Sequence, residues 1–361
     1  MAERALRSIR NGEMSARGAS EHVTPVDDSG ATRPALLARI AIASALGLFA
    51  AAISWIATHR SGFGIPDFHW WWVGARALLD GQNPYEAVPR VIGPAFHLYH
   101  PMPAILVAVP FALLRPDVAL SLFSALSTAI LAFAVTRTSY ARLPLFLSAS
   151  FAHAAVMGQW SLLLTAALFL PWLAFLGAAK PNVGLALLGT SLSWRAALAM
   201  VLFAVVSLAA MPSWPREWLA QLPNSPYHFS PLRTPVGFLA LLALLRWRRP
   251  EARLLAVLGM VPQSPFVYEA LPLFLIPRTR YQTYALVIGS DVALGVYVLS
   301  RGIDQSRFFW INGVAVVVTM YLPALVMVLR RPNEGIIPSW LDRATAVLPQ
   351  RFRGREPLAA A

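Results

Sequence analysis

Pro66-Asp67-Phe68-His69-Trp70-Trp71-Trp72, running on to Asp80-Gly81-Gln82-Asn83-Pro84-Tyr85, directly follows a long apolar stretch, Leu36 to Thr58. That stretch is long enough to cross a bilayer as a helix, which needs about 20 apolar residues. At its end an acidic residue, an aromatic wall and a helix stop meet at the membrane edge. A lipid-facing surface has no use for a carboxylate beside three tryptophans. An enzyme acting on a polar substrate at the membrane surface does.

Composition agrees with a membrane setting. Hydrophobic residues make up 57% of the 361 and charged residues 13%, about half the usual soluble share of roughly 25%. A soluble globular enzyme is excluded. The chain has no cysteine, so disulfides, thiolate nucleophiles and zinc–thiolate sites are excluded too. The net charge is +13. The basic residues sit at the ends of apolar segments, which is the pattern of membrane topology. They form no stripe on a polar domain of the kind that binds nucleic acid, so no nucleic-acid partner is expected.

The chain divides into three parts. Residues 1–34 are polar and Arg-rich and read as a disordered tail with no apolar core of a cleavable signal. Residues 35–331 form the membrane domain, and 332–361 a second polar tail. Apolar runs lie near 36–58, 101–114, 117–136, 143–157, 160–177, 183–193, 195–211, 235–246, 254–277, 281–300 and 308–329. Arginines before the first run place the N-terminus in the cytoplasm and the Asp67 loop outside. Arg246, Arg248, Arg249 and Arg253 read as cytoplasmic, as do Arg330 and Arg331. Arg278 and Arg280 agree only if 254–277 is a hairpin turning near Gln263-Ser264-Pro265. The expectation is an all-α, multi-pass protein of the inner (plasma) membrane with about twelve spans (range 10–13). On this count Arg137 and Arg142 fall outside and break the rule. Without that hairpin there would be about eleven spans.

Within the quoted stretch, Phe68, Trp71, Trp72, Ala75, Leu78 and Leu79 recur at helical spacing, with Arg76 and Asp80 on the other side. This predicts an amphipathic interfacial helix. Asp67 is a helix-start residue, where the helix dipole favours a carboxylate. An ionised carboxylate beside a cavity can serve as a general base. The competing reading is that Asp67 only caps the helix and the tryptophans only anchor it at the interface. Anchoring is the favoured role for Trp70, Trp71 and Trp72. No Asp-x-Asp pair and no paired histidine spacing points to a metal, and no Walker-type loop is present, so no cofactor is expected.

The order Asp67…Ala75-Arg76-Ala77-Leu78-Leu79-Asp80-Gly81…Pro84-Tyr85 resembles glycosyltransferase family 87, polyprenol-phosphate-mannose-dependent α-mannosyltransferases of the GT-C architecture. Tyr99-His100-Pro101-Met102-Pro103, Gly158-Gln159-Trp160-Ser161-Leu162-Leu163, Lys180-Pro181-Asn182 and Ser264-Pro265-Phe266-Val267-Tyr268-Glu269 resemble further segments of the family in the same order. The chain departs from the pattern at Ser161, where Asn is usual, and at Tyr268-Glu269, where Trp and then His are common. A histidine role is therefore not carried over there.

The resemblance implies a GT-C-like helical bundle that transfers a hexose, mannose in the family, from a polyprenyl-phosphate-linked donor to a glycolipid or polysaccharide acceptor on the extracytoplasmic side. It makes Asp67 the general base of an inverting displacement. Lys180, the only lysine, and Arg76 become candidates to hold the donor phosphate. Tyr85, Gln159, Tyr268 and Glu269 become candidates for substrate binding, with Trp71 from the aromatic wall. Asp291, an acid inside an apolar run, reads as structural. The alternative reading is a lipid or polyprenyl-phosphate-sugar flippase or transporter, which broken helices and intramembrane acids would also suit. A non-catalytic envelope scaffold is the third.

Overall fold

The computed structural model describes residues 35–60, 64–137, 139–225, 229–347, 349, 353 and 354. The expected disordered tail over residues 1–34 lies outside these. Among the described residues the fold is helical, with one isolated bridge between Phe229 and Gln263.

Helix α1 spans Leu36–Thr58, α2 Phe68–Leu79, α3 Pro84–Ile92, α4 Met102–Ala112 and α5 Pro116–Val135. Then come α6 Ala149–Met157, α7 Ser161–Ala167, α8 Pro181–Ser191, α9 Trp194–Ser207 and α10 Trp214–Gln221. Helices α11 Pro250–Met260, α12 Arg280–Leu299, α13 Gln305–Val316, α14 Leu322–Leu329 and α15 Ser339–Ala344 complete the order. A π turn, Val317–Tyr321, joins α13 to α14. Among the described residues four helices are long and apolar enough to cross a membrane: α1, α5, α12 and the continuous Gln305–Leu329. Their outward faces are apolar. Leu37, Leu48 and Ile56 on α1 and Ile288, Val292 and Val298 on α12 are exposed, as expected of a surface solvated by lipid and not water.

Helices α1 and α5 pack closely through small residues. A Cβ on Gly47 would sit 2.8 Å from the Ala125 carbonyl and 3.2 Å from the Ala129 methyl. Small side chains let two apolar helices approach where no hydrophobic effect drives them together. Arg39 at the start of α1 donates to Phe133 O at 2.8 Å, and His59 past its end lies 3.6 Å from Asp117. The pair is therefore antiparallel.

One end of the bundle gathers arginines. Glu251 meets Arg331 at 2.8 Å, Arg278 at 3.4 Å and Arg249 at 3.7 Å. Arg253 donates to Gly189 O and Thr190 O at 2.8 and 2.7 Å. The expected hairpin over 254–277 is present. Helix α11 rises from Glu251, the chain turns at 261–266, and the 3-10 helix Val267–Leu275 returns to Arg278.

Two further hairpins have the same sense. Helix α6 leads to a turn at Gly158-Gln159-Trp160, and α7 returns until the Phe169 ring lies 5.3 Å from the Arg142 guanidinium. The 3-10 helix Pro171–Ala179 then reaches a turn at Lys180, and α8 returns to the carbonyls that Arg253 holds. Gly177 and Gly184 face each other across this hairpin with no room for a Cβ on either.

The placement of Arg137 and Arg142 differs from the expectation. Arg137 acts on Arg39, and Arg142 donates to Leu275 O at 3.1 Å, so both lie at the arginine end. The reason is local. Helix α4 has only 11 residues and packs on α2, where Trp72 donates to Phe111 O at 3.2 Å. It ends beside the start of α5, at the end opposite Arg39, without running the length of the bundle. The run 160–177, read as one segment, is two.

The first part of the second polar tail folds back. Asp342 on α15 pairs with Arg248, and Asn333 accepts from the Arg248 amide at 3.0 Å.

Candidate functional site

The tips of the three hairpins meet Asp67. It lies in the segment between α1 and α2, in right-handed helical geometry, with no side-chain bond to the following amides. Asp67 holds the expected helix-start position, but its side chain makes no cap bond. The carboxylate turns away from the helix start and into the bundle. Gln159 Nε2, at the first tip, donates to Asp67 Oδ2. Tyr268 OH, just past the third tip, donates to the same oxygen at 3.3 Å. Lys180, at the second tip, acts on Asp67 through its charge.

Lys180 is also held. Its Nζ lies 2.6 Å from Glu269 Oε1, and both side chains are nearly buried. Ser264 donates to Glu269 Oε1 at 3.1 Å and also lies 3.1 Å from the Tyr268 hydroxyl. Glu269 Oε2 is buried with no hydrogen-bond partner. A buried charge needs pairing and hydrogen bonds, and here one carboxylate lone-pair direction is left unfilled. Asn182 fastens the second tip to the third by donating to Pro262 O at 2.8 Å.

The surroundings set the acidity of Asp67. Burial raises it to about 6, because removing a carboxylate from water disfavours its charge. Lys180 and the bonds from Tyr268 and Gln159 act the other way, and Glu269 adds to the rise. A base with that affinity is mostly ionised at neutral pH, yet holds a proton better than an ordinary aspartate does. General bases work best when matched to the working pH in this way.

Gly158 makes the first tip possible. Its φ of +65° places it in the left-handed region, where a Cβ costs roughly 1–2 kcal/mol. A Cβ there would also stand 2.5 Å from Leu120 Cδ1 and 2.7 Å from Phe68 Cβ. Gly158→Ala is expected to destabilise the protein by at least about 1–2 kcal/mol, read as a lower midpoint of thermal unfolding. An unchanged midpoint would contradict the described turn.

Other expected site residues lie elsewhere. Arg76 is half-exposed, 3.6 Å from Asp80, and donates to Ala112 O at 3.4 Å, so it does not join Lys180. Tyr85 is buried and donates to His100 O at 3.2 Å. Trp71 is fully buried against His100, Trp160 and Phe68. Trp70 is buried as well. These two tryptophans are therefore core residues, not interfacial anchors, because the aromatic face of α2 points into the bundle. Asp291 accepts from the Ala149 amide at 2.8 Å, at the start of α6.

Sequence reasoning named Gln159 as a substrate-binding candidate but gave no role to Ser264 or His100, which appear there only within quoted segments. Ser264 lies in one of the quoted segments, which is the signal that could have found it. His100 meets Trp71 edge-on with ring centroids 4.6 Å apart. Burial, and then the charge of Lys180, lower its pKa to about 3, so it is neutral.

Taken together, the site gathers a buried carboxylate, a buried cation and the hydroxyl and amide donors of Tyr268, Ser264 and Gln159 in one cluster. No family model, no curated protein and no solved structure matches the chain.

Proposed function

We propose that this chain is a membrane glycosyltransferase. It transfers a hexose, mannose by the resemblance of its motifs, from a polyprenyl-phosphate donor to a glycolipid or polysaccharide acceptor. The observation that carries the reading is the meeting of Asp67, Gln159, Lys180 and Tyr268-Glu269, which lie up to 202 positions apart in sequence and cluster at three hairpin tips.

In this reading the hairpin arms are crossings, which gives twelve with α1, α5, α9, the 3-10 helix Gly237–Arg246, α12 and Gln305–Leu329. The arginine end is cytoplasmic. The site then faces the extracytoplasmic side of the plasma membrane, and α2 is the interfacial helix of the first outer loop.

The reaction is a single displacement. The acceptor oxygen attacks the anomeric carbon opposite the phosphate, the C1–O bond to phosphate breaks, and the prenyl phosphate departs with that electron pair. The acceptor proton goes to Asp67. Lys180 balances the charge gathering on the phosphate. Glu269 holds Lys180 in place and releases it as the phosphate arrives. No acid is needed, because phosphate leaves as an anion. One carboxylate therefore suffices, as in the base half of inverting glycoside hydrolysis.

The test is transfer by purified protein in nanodiscs from a prenyl-phosphate mannose, with the product weighed by mass spectrometry. A covalent product supports the reading, and a flippase makes none. The rate should climb with pH through about 6 and level off above 7, since only ionised Asp67 accepts a proton. One unit below the midpoint it should be about tenfold lower. Tyr268→Phe removes a bond that favours the ionised form, so the climb should move to higher pH. A rate independent of pH between 5 and 7 would contradict the assignment of Asp67.

A further inference from the structure

A groove of about 550 Å³ opens beside the Asp67 segment, between the end of α1, the outer side of α2, α3 and the start of α5. Its size lies within the roughly 300–1,000 Å³ of ordinary small-molecule sites. The geometry points to this groove as the seat of the neutral sugar headgroup of the acceptor. The inference rests on the transferase reading and adds to it where, and from which side, the acceptor arrives.

Position is the first argument. Pro66 and His69 belong to the groove wall and bracket Asp67 in sequence. The Pro66 Cα is one peptide, about 3.8 Å, from the Cα of Asp67. Lys180, Gln159 and Tyr268 approach Asp67 from the hairpin tips, and none of them lines the groove. An inverting displacement needs its nucleophile on the face away from the leaving group. A phosphate held at Lys180 and an acceptor held in the groove satisfy that requirement, with the Asp67 segment between them; the carboxylate itself faces the hairpin tips and does not line the groove.

Chemistry is the second. Among the described lining residues the only formal charge is the carboxylate of Asp117, with no lysine or arginine. Asp117 is itself engaged by Arg115 at 2.9 Å and by His59 at 3.6 Å. A phosphate would find no lysine or arginine on the groove wall to balance its charge, which disfavours the donor headgroup. A hydroxyl-rich neutral group would not be opposed. His69 Nδ1 is buried with no hydrogen-bond partner. Burial lowers the His69 pKa, against the opposing pull of Asp117, which favours the uncharged ring on the groove wall. Trp72 presents an indole whose Nε1 is tied to Phe111 O. A fixed aromatic body with its polar edge satisfied suits the C–H face of a sugar.

The test measures binding of decyl mannoside to the full chain in nanodiscs by saturation-transfer NMR, with maltoside detergents excluded because they carry competing sugars. Val91 lines the groove and is largely exposed, so Val91→Phe narrows the groove without disturbing the core. His69→Ala removes the unpaired ring. Both variants should weaken decyl mannoside binding at least tenfold and leave binding of a prenyl phosphate unchanged. If His69→Ala fails to fold, Val91→Phe carries the test alone. Undiminished glycoside binding by a folded variant, or no binding by the wild type, overturns the groove assignment. Transfer from the donor is scored on the same preparations. Transfer by the wild type alongside undiminished glycoside binding by the variants sinks the groove alone, whereas absence of transfer by the wild type sinks the transferase reading.

Discussion

Asp67→Asn is expected to lower kcat by about 10²–10⁴, the usual contribution of a general base, while the protein still inserts and folds. The amide keeps the size of the carboxylate and can still accept from Tyr268 and pair with Gln159, so the hairpin tips stay joined. What is lost is the proton acceptor. The same substitution should raise stability at neutral pH. Folded Asp67 holds its proton up to about 6 against an ordinary 3.8. By linkage its contribution is most favourable below about 4 and declines as pH rises through 6. Thermal unfolding of the wild type should therefore show a loss across that window that Asp67→Asn does not share. Less active and more stable is the signature of a group kept for chemistry and not for folding.

The second large effect concerns Lys180 and Glu269. Breaking a buried ion pair by removing one partner costs about 3–5 kcal/mol, because the other charge is stranded. Lys180→Met should therefore unfold at markedly lower temperature and lose transfer. On its own that result does not separate a structural role from a functional one. The double variant Lys180→Met, Glu269→Gln does. With no charge left uncompensated, most of the stability should return, since replacing both partners of a buried pair is often close to neutral. Transfer should remain absent, because the leaving phosphate has lost its cation. Recovery of transfer together with stability would show that Lys180 serves the fold alone. Measuring both properties on the two variants and the wild type in nanodiscs decides the matter.

Much of this was legible in the sequence, and the misses have physical causes. The helix after Asp67 announces itself through the spacing of Phe68, Trp71, Ala75 and Leu78 and the stop at Gly81. The hairpin over 254–277 followed from requiring Arg253 and Arg278 to share a side. Arg137 and Arg142 were misplaced because an apolar run reveals length and not direction. The run at 101–114 packs on α2 and ends where α5 begins, while 160–177 turns back on itself at Phe169, Leu170 and Pro171. In the proposed twelve-crossing arrangement these two errors cancel and misassign only what lies between them.

The site was half legible. Asp67, Lys180, Tyr268 and Glu269 stand out as polar groups in apolar surroundings, and the structure brings them together. Arg76 and Tyr85 were drawn in by motif order, yet one pairs locally with Asp80 and the other is bonded into the core. Asp67 takes the helix-start position without a cap bond because the pull of Gln159 and Tyr268 lies across the bundle, beyond anything local sequence reports. The groove at His69, Trp72 and Asp117 depends on α1, α3 and α5 meeting, which no single stretch encodes.

The central claim is that Lys180 receives the lipid phosphate beside Asp67. Cryo-electron microscopy of the protein in nanodiscs loaded with a prenyl phosphate tests it most directly. The account predicts phosphate density within hydrogen-bonding reach of Lys180 Nζ, with Glu269 withdrawn and Asp67 facing the vacated space. Phosphate density at the cluster of Arg249, Arg278 and Arg331, with the Lys180–Glu269 pair intact, would contradict it.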